Sequence, residues 1–329
     1  MLVFTDIRMA DHDPGAHHPD RPERLQAALD GFEGRPVVRR PPAPAPREAI
    51  LRVHDAAHVD LVERSRGQRG MFDADTTVSE GSVPAAYLAA GAALDATRAV
   101  VAGEADVAWA VVRPPGHHAE PMVPMGFCLF NNIAVAAADA AAGGRRVCVI
   151  DFDVHHGNGT QHAFEEREDI LFVSLHQYPF YPGTGAPDET GEGGGKGHTI
   201  NFGMPPGCDD DDYLAAFDEV LLPVVHRFEP EVLLVSAGFD GHREDELGGM
   251  ALTEGGYAAM TRRLCRLGRP LVLALEGGYA LPALTRSVAA CTDAALSDDP
   301  LPAANAPGTS GGRIAVADTR RIHAARWGL

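Results

Sequence analysis

Val147-Cys148-Val149-Ile150-Asp151-Phe152-Asp153-Val154-His155-His156-Gly157-Asn158 runs from four apolar residues straight into carboxylates and imidazoles. A short apolar run rich in β-branched residues reads as a strand buried on both faces. Comparable runs stand at 107–112, 170–175, 231–237 and 271–276, beside this one at 146–152. Alanine- and leucine-rich segments with helical spacing separate them, at 84–102, 133–142, 211–228 and 254–267. Apolar strands alternating with helices predict an α/β fold whose parallel sheet is covered on both faces.

Open parallel sheets bind ligands beyond the carboxyl ends of their strands. Three further runs end in polar clusters: Arg113-Pro114-Pro115-Gly116-His117-His118, Ser236-Ala237-Gly238-Phe239-Asp240 and Glu276-Gly277-Gly278-Tyr279. These clusters should meet on one rim. Alternate residues of an extended chain point the same way, which predicts that Asp151, Asp153 and His155 share a face. Carboxylates and an imidazole so placed suit a divalent metal, and Asp240 can complete the set. A buried Asp–His hydrogen-bond network is the competing reading. Adjacent His117 and His118 suit proton transfer near neutral pH, or are structural loop histidines. Tyr279 can turn its hydroxyl toward a substrate carbonyl, or simply start a helix.

The 329 residues fit one large domain or two smaller ones. The net charge of -18 argues against direct nucleic-acid binding. It favours cationic partners such as polyamines or basic peptide tails, although solubility alone explains it. The five cysteines are scattered, with no disulfide framework. An acidic residue at Asp6 argues against a signal peptide, and no apolar run approaches the ~20 residues of a membrane span. A cytoplasmic setting is expected. Residues 40–46 read as a stiff proline-rich connector, and 191–197 as a mobile glycine loop. A strand-like run at 199–202 follows that loop, so it lacks the helix a phosphate cradle needs. Residues 298–313 read as a linker, and 314–329 as a tail that packs back. The acidic run 209–212 suits a helix N-terminus. His17 and His18 read as a surface loop near the site, and histidines 54, 58, 162, 198, 226 and 323 show no identifiable partners.

Taken together these clusters resemble the histone deacetylase superfamily, particularly its class II and bacterial members. The resemblance rests on His18-Pro19-Asp20-Arg21-Pro22-Glu23-Arg24-Leu25, Pro114-Pro115-Gly116-His117-His118-Ala119, Gly126-Phe127-Cys128-Leu129-Phe130-Asn131-Asn132 and the stretch from Asp151 to Thr160. It continues through Ser174-Leu175-His176, Tyr181-Pro182-Gly183-Thr184-Gly185, Ser236-Ala237-Gly238-Phe239-Asp240 and Leu275-Glu276-Gly277-Gly278-Tyr279, covering roughly 1–295.

The resemblance implies a three-layer α/β/α fold around a mostly parallel eight-stranded sheet. Residues 1–297 would form the catalytic domain, with 298–329 a linker and tail packed on it. Asp153, His155 and Asp240 would hold one Zn2+, although such a donor set also accepts iron(II) or cobalt(II). His117 would pair with Asp151 and His118 with Asn158, while Tyr279 would donate to the acetyl carbonyl. Gly126, Phe127 and Tyr181 would line a narrow channel. A structural K+ would sit among backbone carbonyls of Asp151, Asp153 and His155, with Ser174 and Leu175.

The implied activity is hydrolysis of acetyl-lysine-like amides on a peptide or a small acetylated amine. Asn158 stands where class I enzymes carry aspartate. Leu247, beside Glu246, stands where class II polyamine deacetylases carry a glutamate gatekeeper, which lowers the polyamine reading. The related arginases need two further aspartates, where Asn158 and His242 stand, so one metal is expected. An acetylpolyamine or small N-acyl amide hydrolase is the enzymatic alternative. A catalytically idle zinc protein that binds acyl ligands or a partner protein is the non-enzymatic one. Self-association is left open.

Overall fold

The computed structural model describes residues 1–297 and 308–329. Most of the stretch read as a linker, 298–307, lies outside the described residues. The strands are β1 (Leu2–Phe4), β2 (Val38–Arg40), β3 (Gly70–Met71), β4 (Thr77–Val78), β5 (Val107–Ala110), β6 (Val147–Asp151), β7 (Ile170–Gln177), β8 (Thr199–Met204), β9 (Val232–Ala237) and β10 (Leu271–Leu275). Eight form one sheet in the order β2-β1-β5-β10-β9-β6-β7-β8, and every neighbouring pair is parallel. The remaining two, β3 and β4, make a small antiparallel ribbon.

Strands β5, β6, β9 and β10 are buried along their whole length, as apolar residues on both faces require. On one side, helix Ser82–Val101 packs on Asn132–Ala142 and on β5. Elsewhere Leu281–Leu296 lies between Glu23–Asp30 and Glu254–Cys265. The sheet order places the four strands with polar endings side by side at the centre. Their register aligns those endings: Asp151 lies opposite Ser236, and Ala237 opposite Leu275. All four clusters therefore leave the sheet at one level.

Several expectations need correction. The helix read over 211–228 is interrupted by a π turn, Phe217–Leu221, in which the Leu222 N–H bonds to the Phe217 carbonyl. Pro223 follows immediately; it has no N–H to donate and its ring crowds the carbonyl four residues back, so the backbone widens there. The glycine loop 191–197 is pinned: Glu192 N bonds to Glu165 O at 2.6 Å and Trp327 Nε1 to Gly197 O at 2.9 Å. Residues 310–313 belong to helix Ser310–Trp327, because Thr309 caps it through the Gly312 N–H. That helix packs on β8.

The acidic run does more than complement a helix dipole. Asp209 and Asp212 form a capping box, Asp210 accepts from Thr253, and Asp212 accepts from Thr309. The run thereby ties two distant segments to one helix start. Among the described residues no helix is long and apolar enough to cross a membrane.

Candidate active site

Asp153, His155 and Asp240 converge just beyond β6 and β9, with one ligand atom from each within 4.8 Å of the others. Among the described residues no other group of three such side chains meets this way. His155 Nδ1 lies 3.1 Å from Asp153 Oδ1 and 3.2 Å from Asp240 Oδ2. Backbone donors fix both carboxylates: Gly277 N reaches Asp153 Oδ2 at 2.8 Å, and Val154 N reaches Asp240 Oδ1 at 2.9 Å. Burial and the Asp153 charge push Asp240 up to about 7. Burial works against a charged His155, but Asp153 and Asp240 outweigh it and raise that imidazole to about 10. Two buried carboxylates and one imidazole, converging at the carboxyl edge of the sheet, form a donor set that fits one divalent ion.

Alternation does not bring these groups together. Strand β6 ends at Asp151, so the pleat no longer sets the direction of Asp153 and His155. Asp151 instead accepts from His117 Nδ1 at 2.9 Å and from Asp153 N at 3.1 Å, beside the ligand group rather than in it. The place where a second arginase-type metal would need a carboxylate holds buried His242, which faces Glu254 at 3.5 Å.

His117 and His118 lie with ring centroids 4.0 Å apart. Their environments separate them. Burial opposes charge on His117, but Asp151 and Asp153 hold it well above the ordinary imidazole value. Burial, with His117 and His155 nearby, holds His118 well below that value. His118 Nδ1 donates to Asn158 Oδ1 at 2.7 Å, which leaves Nε2 with its lone pair. The loop carrying both imidazoles hangs on Glu276, whose buried carboxylate accepts from Gly116 N at 2.6 Å and His117 N at 3.1 Å.

A cavity of about 200 Å³ descends to this group between Phe127, Phe180, Tyr181, Leu247 and Tyr279, with Asp75 also in its lining. Gly126 (φ +57) and Phe127 (φ +68) both adopt the left-handed backbone. Phe127 bears the strain, about 1–3 kcal/mol for such a residue. Its ring meets His18 at 4.5 Å and Tyr279 at 6.0 Å. His18 thus sits beside the cavity, where its Nε2 donates to Asp75 O at 3.0 Å. Gly126 must lack a side chain, since a Cβ there would lie 2.5 Å from His118 Cδ2. Gly126→Ala should therefore displace the imidazole and lower kcat ~10²-fold without loss of bound metal. Steady-state kinetics with metal analysis would check this, and an unchanged kcat would remove Gly126 from the site.

Tyr279 lies one residue before Ala280, the N-cap of helix Leu281–Leu296, so it stands at a helix start and in the cavity wall at once. Asp245 Oδ2 accepts from Tyr279 N at 2.6 Å, and Oδ1 from Leu247 N at 3.0 Å. The Arg24 guanidinium lies 4.7 Å from the Tyr279 ring centre. Burial raises the phenol well above its ordinary pKa and keeps it a donor.

Sequence reasoning missed Asp245 and assigned no role to Asp20, Arg24, Arg113 and Glu276, although their motifs stand out; these are the charged groups behind this wall. Glu276 and Arg113 abut apolar strands, a position where a charge must be paired; that was the available signal. The histidines without assigned partners also need correction. His54 and His58 bond to the carbonyls of Glu120 and Leu129, His162 to the Glu120 carboxylate, and His198 contacts Arg326.

The family model described as "Histone deacetylase domain" matches residues 18–295. The chain is 40% identical over 292 residues to a "Probable deacetylase" of Archaeoglobus fulgidus, covering 85% of this chain and 81% of that protein. It is 42% identical over 275 residues to the "Histone deacetylase-like amidohydrolase" of Pseudomonas aeruginosa, covering 80% and 72%. Against "Histone deacetylase 15" of Arabidopsis thaliana it is 42% identical over 314 residues, 89% of this chain but 56% of that longer protein. The crystal structure of the HDA15 HD domain matches with a TM-score of 0.94 at 38% identity, covering 99% of this chain and 96% of the other. In sequence and in its eight-stranded α/β fold alike, this chain belongs to the histone deacetylase family.

Proposed function

We propose that the chain is a metal-dependent deacetylase that hydrolyses the N-acetyl amide of acetyl-lysine-like substrates to a free amine and acetate. One observation carries the reading: a single cavity is lined by His118, Tyr279 and His155, and His155 meets Asp153 and Asp240 in a group that fits a metal. Asp153, His155 and Asp240 would hold one divalent ion, assigned as Zn2+, which when bound would supply Lewis acidity and lower the pKa of water toward ~7.

The chain's own residues do the rest. His118 Nε2 takes the proton of the attacking water and returns it to the leaving amine. His117, charged against Asp151, adds electrostatic support. Tyr279 donates to the oxyanion as it develops. Gly126, Phe127 and Tyr181 wall the methylene stem of the substrate. Leu247 makes the mouth apolar where a glutamate would select an ammonium, which favours acetyl-lysine over acetylpolyamines. A structural K+ is assigned to the carbonyls of Asp151, Asp153, His155 and Leu175 with Ser174; the register that sets Asp151 opposite Ser174 supports that grouping. Residues 1–297 are taken as the catalytic unit, with the C-terminal helix packed on it. Five free cysteines suit a reducing cytoplasm.

Turnover of a fluorogenic acetyl-lysine amide tests this. Activity should vanish on chelation and return with zinc. Acetylated diamines should compete poorly; strong competition would shift the substrate to polyamines. A fully metallated chain that hydrolyses no acyl amide would sink the enzyme reading in favour of an idle acyl-ligand binder.

A further inference from the structure

We infer that Glu120 is a positioning residue for His118: its carboxylate orients the amide of Asn158 and thereby sets which imidazole nitrogen carries the hydrogen. The inference rests on the proposed role of His118 as the proton acceptor.

Asn158 Nδ2 donates to Glu120 Oε1, and more distantly to Met125 Sδ at 3.3 Å and His118 O at 3.4 Å. All three partners are acceptors, and Glu120 is the only charged one. An ionised carboxylate can only accept, so the amide must turn its NH2 to Glu120 and its Oδ1 to His118. That oxygen also only accepts, so His118 must donate from Nδ1, leaving Nε2 free to take a proton. The opposite amide orientation would offer an N–H to Nδ1, drive the hydrogen to Nε2 and abolish the base.

Glu120 is well held for this task. His162 lies one turn beyond Asn158 on helix Asn158–Phe164, and its Nδ1 donates to Glu120 Oε2 at 2.7 Å. Glu120 N bonds to Val123 O at 3.0 Å, and Glu120 O accepts from His54 Nδ1 at 2.9 Å. The chain thus fixes a tautomer with a carboxylate one amide away, without setting a full negative charge against the imidazole.

A purely structural Glu120, serving only to staple His162, makes different predictions. With Glu120→Gln the carboxamide no longer dictates the Asn158 orientation, and kcat should fall ~10–100-fold, as for other residues that orient a site from behind. KM should stay within about twofold, since ground-state binding is untouched. Adding Asn158→Asp to Glu120→Gln should restore at least about tenfold of that loss. The new carboxylate accepts from His118 Nδ1 directly and can itself accept from the glutamine amide. Asn158→Asp alone should be impaired, because it faces Glu120 with a like charge. Nitrogen-15 NMR of histidine-labelled protein, with His118 assigned against His118→Ala, should show a protonated Nδ1 in the wild type and a mixed tautomer in Glu120→Gln. An unchanged tautomer, or a double variant no better than Glu120→Gln, overturns the inference. A wild type that hydrolyses nothing overturns the deacetylase reading instead, and the NMR result still decides the role of Glu120.

Discussion

Tyr279→Phe should retain its metal and lose ~10²–10³-fold in kcat, or roughly 2.7–4 kcal/mol of transition-state stabilisation. The substitution removes one oxygen and leaves the ring. Its contacts with Phe127 at 6.0 Å and with the Arg24 guanidinium at 4.7 Å remain, so the cavity wall should not collapse. Burial holds the phenol well above its ordinary pKa. The hydroxyl is therefore a neutral donor throughout the neutral range, and the deficit should be flat across pH rather than confined to one limb. A donor that acts on the developing oxyanion contributes mainly in the transition state, so KM should change little. Kinetics and metal content measured on the same preparation decide the matter. A kcat within about threefold of wild type would refute this role for Tyr279.

The fold was legible because its strands are apolar on both faces and end abruptly in polar residues. In a parallel sheet those endings share one side, so the sequence alone brings Asp153, His155, Asp240, His117, His118 and Tyr279 to one rim. What the pattern could not settle was direction once a strand stops. Asp151 is the last residue of β6, and pleat alternation misassigns it to the metal group when it actually serves His117. The left-handed backbone of Phe127 has no marker in the residue itself, since phenylalanine ordinarily avoids it. The π turn before Pro223 is invisible to a periodicity count, because an apolar face continues through it. Least legible were the buried charges. Asp20, Arg113 and Glu276 are far apart in sequence, and although the strand ends mark Arg113 and Glu276 as charges that must be paired, nothing in the pattern says with what.

Those buried charges should produce the largest stability effect in the chain. Asp20→Asn is expected to destabilise the fold by roughly 3–5 kcal/mol, the range for removing one partner of a buried ion pair. Asp20, Arg24 and Arg113 are all fully buried. Asp20 Oδ1 accepts from Arg24 Nη1 at 2.6 Å and from Arg113 Nε at 2.9 Å, so one carboxylate serves two guanidinium groups. Backbone carbonyls help: Arg24 also donates to Gly278 O and Glu276 O, each at 2.6 Å, and Arg113 to His12 O at 3.1 Å. Carbonyl dipoles cannot replace the charge, and the asparagine variant leaves two buried cations without a counter-ion. Burial alone would raise the Asp20 pKa, but Arg113, His12 and Arg24 outweigh it and hold the carboxyl far below the usual range. A depressed folded pKa contributes stability that is complete above the unfolded value, about 4, and is lost as pH falls below it. The gap between wild type and variant should accordingly be full at neutral pH and narrow in acid. Activity should fall with stability, because Arg24 grips the carbonyls on either side of Gly277 and stacks on Tyr279. Urea unfolding at pH 7 and at about pH 2.5, well below the unfolded carboxyl value, measures both magnitude and trend. A variant within about 1 kcal/mol of wild type at pH 7 would mean that the carbonyls alone neutralise both arginines.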